Sequence, residues 1–215
     1  IRLCMVYKDV FKTQLRALLR AGVEGNLHIM FPMIATLEEL LTAKELLKEV
    51  AGELAEEGIV HRADVPVGIM IEVPSAAIIA DILAPEVDFF SIGTNDLVQY
   101  TMAADRMNEH VAWLSDYFQP PVIRLIANVT QAAQKNGKWV GMCGEMAGDP
   151  LATPLLVGLG LSELSMNARS VPRIKNLVRQ LTVERAKEWA DQILTLRTMA
   201  DIKKSLEEIG ENFEV

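Results

Sequence analysis

The sequence predicts an α/β fold, a parallel (β/α)8 TIM barrel that is incomplete and lacks about its first two strands. Three observations lead there. Short β-rich runs alternate with longer segments of helical periodicity, which implies parallel strands joined by right-handed crossovers. Six such runs occur, at Ile1–Val6, Leu27–Phe31, Val65–Ile71, Val87–Ile92, Trp139–Met142 and Glu163–Met166, whereas a complete barrel has eight strands and usually about 250 residues. Polar residues follow the C-terminal ends of three apolar runs: VGIMIE ends on Glu72, FFSIGTND on Asn95 and Asp96, and WVGMCGE on Cys143 and Glu145. Chemistry at the C-terminal ends of successive strands is the barrel pattern, while an open doubly wound sheet gathers its site near one switch point.

The first run, IRLCMV, reads as the middle of a strand, as though cut from something longer, and would carry Arg2. Thr36–Glu57 is a long helix. It opens on Thr36 with Glu39 three residues on, a capping-box pattern. In Val122–Gln134 the apolar positions Val122, Leu125, Ile126, Val129 and Ala133 recur at spacings of three and four, one face of a helix. From Ser170 onward the chain reads as helical, broken near Thr182 and Thr198. No low-complexity segment, internal repeat or Pro/Gly/Ser linker divides the chain, so residues 1–215 are expected to form one domain.

The 215 residues, half of them apolar, are enough for a sizeable core. A formal charge of −8 argues against nucleic acid as a partner. It also means that any phosphorylated substrate must be held by local arginines, backbone N–H groups or a metal. The two cysteines, Cys4 and Cys143, form no disulfide framework and fit a reducing cytoplasm. No apolar run reaches the roughly 18–20 residues of a membrane span, and the first residues lack the pattern of a signal peptide. The expectation is a cytoplasmic protein that does not engage a membrane.

Residues 88–106, DFFSIGTNDLVQYTMAADR, carry the densest chemistry. An isolated Gly-Thr-Asn-Asp is most often a plain strand-to-helix turn with Asn-Asp as cap. Here the turn delivers Gly93, which permits close backbone approach, Asn95 as a neutral donor and acceptor, and Asp96, whose carboxylate can bind a hard cation. Arg106, ten residues on, can fold back to clamp a phosphate bidentately. Glu72 ends the preceding apolar run, before a Pro74 that stops the strand. On a barrel its carboxylate and that of Asp96 converge, and magnesium is commonly held by one or two carboxylates plus substrate phosphate oxygens. Cys143 lies between Met142 and Gly144 at the next strand end. A lone cysteine is usually an inert apolar residue. On a catalytic face its thiol, with a pKa near about 8.5, can act as a general acid. Glu145 is the rival for that role.

GTNDLVQYTMAADR, IEVPSAA, MFPMI, QLRALLRA and GMCGEMAGDP together resemble the Enzyme I family, the phosphoenolpyruvate-protein phosphotransferases of the bacterial sugar phosphotransferase system. The resemblance runs the length of the chain and implies the barrel domain that binds phosphoenolpyruvate and magnesium. In that family the phosphoryl group passes to a histidine on a separate N-terminal domain and then to the carrier protein HPr, leaving pyruvate. The resemblance implies Glu72 and Asp96 as magnesium ligands, Asn95, Asp96 and Arg106 as the substrate-binding set, and Cys143 as the general acid. It also implies a homodimer. His28, His61 and His110 do not match the phosphohistidine motif and read as surface or structural residues. The upstream strands with further substrate arginines are expected outside this chain. Val98 stands where the family usually has Thr, and Asn167 where it usually has Ser.

Two other readings stay open on the sequence. One is a pyruvate phosphate dikinase-like or phosphoenolpyruvate synthase-like barrel, or an aldolase-like one acting on pyruvate; the related dikinase shares the GTND and CGE cores. The chain can also be a module that acts mainly in dimerisation. The ADRMNE and MCGEMAGD segments favour Enzyme I.

Overall fold

The computed structural model describes residues 1–213. Two helices come first, α1 (Arg2–Val6) and α2 (Lys8–Ala21). The centre is a parallel sheet of β1 (Ile29–Phe31), β2 (Val67–Ile71), β3 (Phe89–Gly93), β4 (Trp139–Cys143) and β5 (Glu163–Leu164). The strands lie in the sheet in the order of the sequence. Each crossover is helical: α3 (Leu37–Glu56) joins β1 to β2, and α4 (Pro74–Ile78) with α5 (Ala80–Leu83) joins β2 to β3. Next, α6 (Thr94–Met102) and α7 (Pro120–Lys135) join β3 to β4, and α8 (Thr153–Gly158) joins β4 to β5. A strand order that never reverses has no switch point, so the sheet is a sector of a barrel rather than a doubly wound sheet. The expected incomplete barrel is what forms.

The sequence predicts six strands, and five are present among the described residues. Where Ile1–Val6 reads as a strand, the chain is helical, with Met5 N–H donating to Ile1 C=O (3.0 Å) and Tyr7 N–H to Leu3 C=O (2.9 Å). Five of those six residues are apolar, and a short apolar run has no period that separates strand from helix. Arg2 therefore sits on an exposed helix, its Nε 3.7 Å from Glu39 Oε1, and not on a strand. The other five strands fall inside or within a residue of their expected spans.

Parallel register sorts the strand residues into two faces. Ile69, Ile71, Phe90, Ile92, Val140 and Met142 are buried in the core shared with the helices. The paired Met70, Ser91 and Gly141 lie on the opposite face, where a cavity of about 310 Å³ also takes in Cys143 and the stacked rings of Phe89 and Trp139, 4.5 Å apart. His28 packs edge-on to both rings, and His61 Nδ1 is 2.9 Å from Ile59 O. His110 is exposed.

The helices follow their sequence signals. Thr36 Oγ1 accepts from Glu39 N–H at the start of α3 (3.2 Å), and the Glu39 carboxylate reaches back to Ala35 N–H (2.7 Å). The buried face of α7 carries Val122, Ile126, Val129 and Ala133. The C-terminal stretch divides into α9 (Val171–Val178), α10 (Val183–Leu194) and α11 (Met199–Gly210), with Thr182 and Thr198 as side-chain caps. Gly158, at the end of α8, lets α10 approach so closely that an added Cβ would overlap the Ala186 carbonyl. We expect Gly158→Ala to destabilise by about 1–3 kcal/mol, the usual result of overpacking. Gly52→Ala, in open space within α3, is expected to stabilise by about 0.5–1 kcal/mol. Thermal melts of the two variants check the contrast.

Candidate functional site

The register that builds the sheet also levels three strand ends. Ile71 pairs with Ile92, and Gly93 pairs with Cys143. Glu72, the Asn95–Asp96 turn and Cys143 therefore stand along one edge, the C-terminal edge, where barrels carry their chemistry. Two glycines make the approach possible. A side chain at Gly93 would crowd Met70 and the Glu72 stem, and Gly144, at φ 96, would drive one into Thr94 Oγ1. Thr94 Oγ1 instead donates to the Cys143 carbonyl (3.1 Å) and ties β3 to β4 at the site.

Glu72 is 7% exposed, and its Oε1 accepts the Met33 N–H at 2.7 Å. Met33 holds a left-handed backbone, φ 54, to present that N–H. Burial pushes the Glu72 carboxyl above the usual carboxylate range; the Met33 bond opposes this and the Asp96 charge adds to it. Asp96 sits half-buried in the first turn of α6, where the helix dipole favours an anion. No ion pair reaches Glu72 or Asp96 among the described residues. The half-buried Cys143 has its Sγ 3.9 Å from Met70 Sδ. Burial raises its thiol, a hydrogen bond from Ser91 opposes, and the charges of Glu72 and Asp96 raise it further. The thiol is therefore protonated at neutral pH.

A second cluster flanks the first. Asn95, Arg106, Ser115, Tyr117 and Glu145 line a recess of about 480 Å³. Asn95 Oδ1 accepts from Glu145 N–H at the long distance of 3.5 Å. Arg106 makes no ion pair among the described residues. The Tyr117 hydroxyl donates to Asp149 (2.7 Å), and burial together with that carboxylate raises its pKa. The structure thus groups the predicted residues in two neighbouring sets, Glu72, Asp96 and Cys143 in one, Asn95 and Arg106 in the other, joined by the Asn95–Asp96 peptide. Glu145 lines the recess and not the Cys143 cavity. Among the described residues no group of three or more His, Cys, Asp or Glu is placed to hold a metal.

Sequence reasoning missed Met33, Ser115 and Tyr117. Met33 acts through its backbone N–H, which no residue type advertises. Ser115 and Tyr117 lie in an irregular segment without period. Asn167 Oδ1 accepts from Ser170 N–H (3.1 Å) and so shapes the turn before α9, and Val98 is buried.

A parallel barrel sector with acids, an amide, an arginine and a thiol at its C-terminal edge has the architecture of a barrel enzyme. Residues 1–183 match the family model described as PEP-utilising enzyme, PEP-binding domain, and the chain belongs to that family. It is 54% identical over 202 residues to the phosphoenolpyruvate-protein phosphotransferase of Priestia megaterium, covering 94% of this chain and 35% of that protein. The proteins of the same name from Bacillus subtilis (strain 168) and Staphylococcus carnosus (strain TM300) are 53% identical over 202 residues and 50% identical over 212. They are covered to 35% and 37% of their lengths, against 94% and 99% of this chain. The chain thus spans about a third of the curated relatives it matches. These names agree with the resemblance in the sequence. A solved citrate lyase from Burkholderia xenovorans LB400 superposes with a TM-score of 0.57 at 18% identity, over 94% of this chain and 68% of that one, a likeness of fold alone.

Proposed function

We propose that residues 1–215 form the phosphoenolpyruvate-binding barrel domain of an Enzyme I, a magnesium-dependent phosphoenolpyruvate-protein phosphotransferase. In the complete protein the phosphoryl group passes to a histidine on an N-terminal domain and then to HPr. The observation that carries this reading is the register that levels Glu72, Asp96 and Cys143 at one edge.

The residues fit magnesium. Two hard carboxylates share the edge, one is buried beside the charge of the other, and no lysine or arginine pairs with either among the described residues. Glu72 and Asp96 would hold the ion, with substrate oxygens and water completing its shell. When bound, it neutralises the substrate's negative charge.

The chain's own groups supply the rest. Arg106 and the Asn95 amide hold phosphate oxygens from the recess side. The enol P–O bond breaks as phosphorus passes to the histidine nitrogen, and its electron pair stays on oxygen as the enolate. Cys143 then gives its S–H proton to the enolate methylene carbon, forming pyruvate, and its thiolate regains a proton from water. The complete protein is proposed to be a cytoplasmic homodimer.

Calorimetric titration of the natural protein that contains this chain, with and without magnesium, tests the reading. Phosphoenolpyruvate should bind with magnesium and lose at least about tenfold in affinity without it. No binding to the folded protein with magnesium present would overturn the assignment.

A further inference from the structure

The segment from Ala103 to Gln119 joins α6 to α7 and carries Arg106. Its returning limb forms a wall of the recess: Ser115 and Tyr117 both line it, while Asp116 between them does not. Asp116 is engaged elsewhere. One of its carboxylate oxygens pairs with Nζ of Lys203 on α11, and the other accepts Phe118 N–H (2.8 Å). The same Nζ stands 5.7 Å from the centre of the Phe118 ring, and Phe118 is only 2% exposed. Tyr117 is fixed in turn by Asp149. The Ser115 hydroxyl is buried and without a hydrogen-bond partner among the described residues.

Three consecutive residues of the limb are thus pinned, two of them by one lysine. That lysine comes from α11, which lies beyond the residues matched by the family model. An exposed ion pair is ordinarily worth little, because water screens it and two long side chains must be ordered. This pair differs in two ways. Its side chains keep 36% and 23% of their exposure, and the ammonium also sits over a buried ring, which adds a cation–π attraction.

We infer that Lys203 is a positioning residue: by holding Asp116 and Phe118 it sets the Ser115–Tyr117 wall of the recess, and with it the fit for an enol phosphate clamped by Arg106. This rests on the function proposed above. It makes a C-terminal helix that never touches the substrate part of what fixes substrate affinity.

The test uses the natural protein containing this chain, with phosphoenolpyruvate and magnesium as probes. Lys203→Met should weaken phosphoenolpyruvate binding about threefold to tenfold, the scale of a partly buried ion pair with a ring contact. The same shift should appear in KM, with kcat within about twofold, because a displaced wall alters ground-state and transition-state binding alike. Lys203→Arg, which keeps the charge, should restore most of the affinity. Asp116→Asn should reproduce the loss, and the double variant should be no worse than either single one, the signature of coupled neighbours. Unchanged affinity in Lys203→Met, with the parent protein binding normally, overturns the inference. So does an equal fall in melting temperature for Met and Arg variants without rescue of affinity, which marks a merely structural lysine. A parent protein that binds no phosphoenolpyruvate overturns the proposed function itself.

Discussion

Replacing Cys143 by Ser should leave phosphoenolpyruvate binding near normal and slow pyruvate formation by about 100- to 10,000-fold, the range a general acid contributes. The thiol sits at the end of β4, with the charges of Glu72 and Asp96 within electrostatic reach. Burial and those charges keep it protonated at neutral pH, the form that an acid requires. A hydroxyl is a far weaker acid, so Ser is expected to be nearly as poor as Ala. Pre-steady-state kinetics separate the steps: phosphoryl transfer to the histidine should survive while protonation of the enolate is lost. Alkylation of Cys143 should be slow at pH 7 and quicken as pH rises, because the thiolate is the nucleophile and the raised pKa leaves little of it. Substrate should protect. The opposing idea is that the side chain only packs against Met70, 3.9 Å away. Near-normal turnover in Cys143→Ser with a lowered melting temperature would establish that and pass the acid role to Glu145.

Glu72→Gln should abolish the magnesium dependence of phosphoenolpyruvate binding and weaken binding by more than about 100-fold. Losing a group that merely orients a metal ligand already costs about 10- to 100-fold, and Glu72 is proposed to touch the ion itself. Gln keeps an oxygen for the Met33 N–H, so the backbone at φ 54 retains its partner. Asp96→Asn should behave alike. Stability should move the other way. The Glu72 carboxyl is raised in the folded state, chiefly by burial, so the folded chain releases its proton less readily than the unfolded one. Below the ordinary carboxylate range both states are protonated and the group contributes nothing. As pH rises through that range, ionisation favours the unfolded state, and by neutral pH the cost is fully present. Without magnesium, Glu72→Gln should therefore melt at or above the parent temperature at pH 7, with the difference fading in acid. Magnesium titrations and melts across that pH range check both. A variant that keeps its magnesium dependence removes Glu72 from the ligand set.

Much of this was readable in the residues. The β2, β3 and β4 runs were visible because short β-rich stretches end on polar groups, and α7 because its apolar residues repeat every three or four positions. Thr36 marked a helix start because a cap needs an oxygen at one particular place, and the breaks read near Thr182 and Thr198 fall where those side chains cap α10 and α11. The same logic failed at Ile1–Val6. With nearly every residue apolar, the local sequence leaves strand and helix equally open, and only the contacts of the folded chain choose between them.

The sequence by itself determined which groups stand at strand ends and that they belong to one face, because strand direction and crossover handedness leave a parallel α/β chain little freedom. Register, approach and partners were decided by the tertiary structure. Ile71 opposite Ile92 and Gly93 opposite Cys143 level Glu72, Asp96 and Cys143. Nothing along the chain states how far one strand slides past the next. The Met33 N–H on Glu72, the Tyr117–Asp149 bond and the Lys203–Asp116 pair join residues 39, 32 and 87 positions apart. Such contacts exist only once the helices have packed, because each is a distance between elements, whereas a sequence pattern reports the order within one.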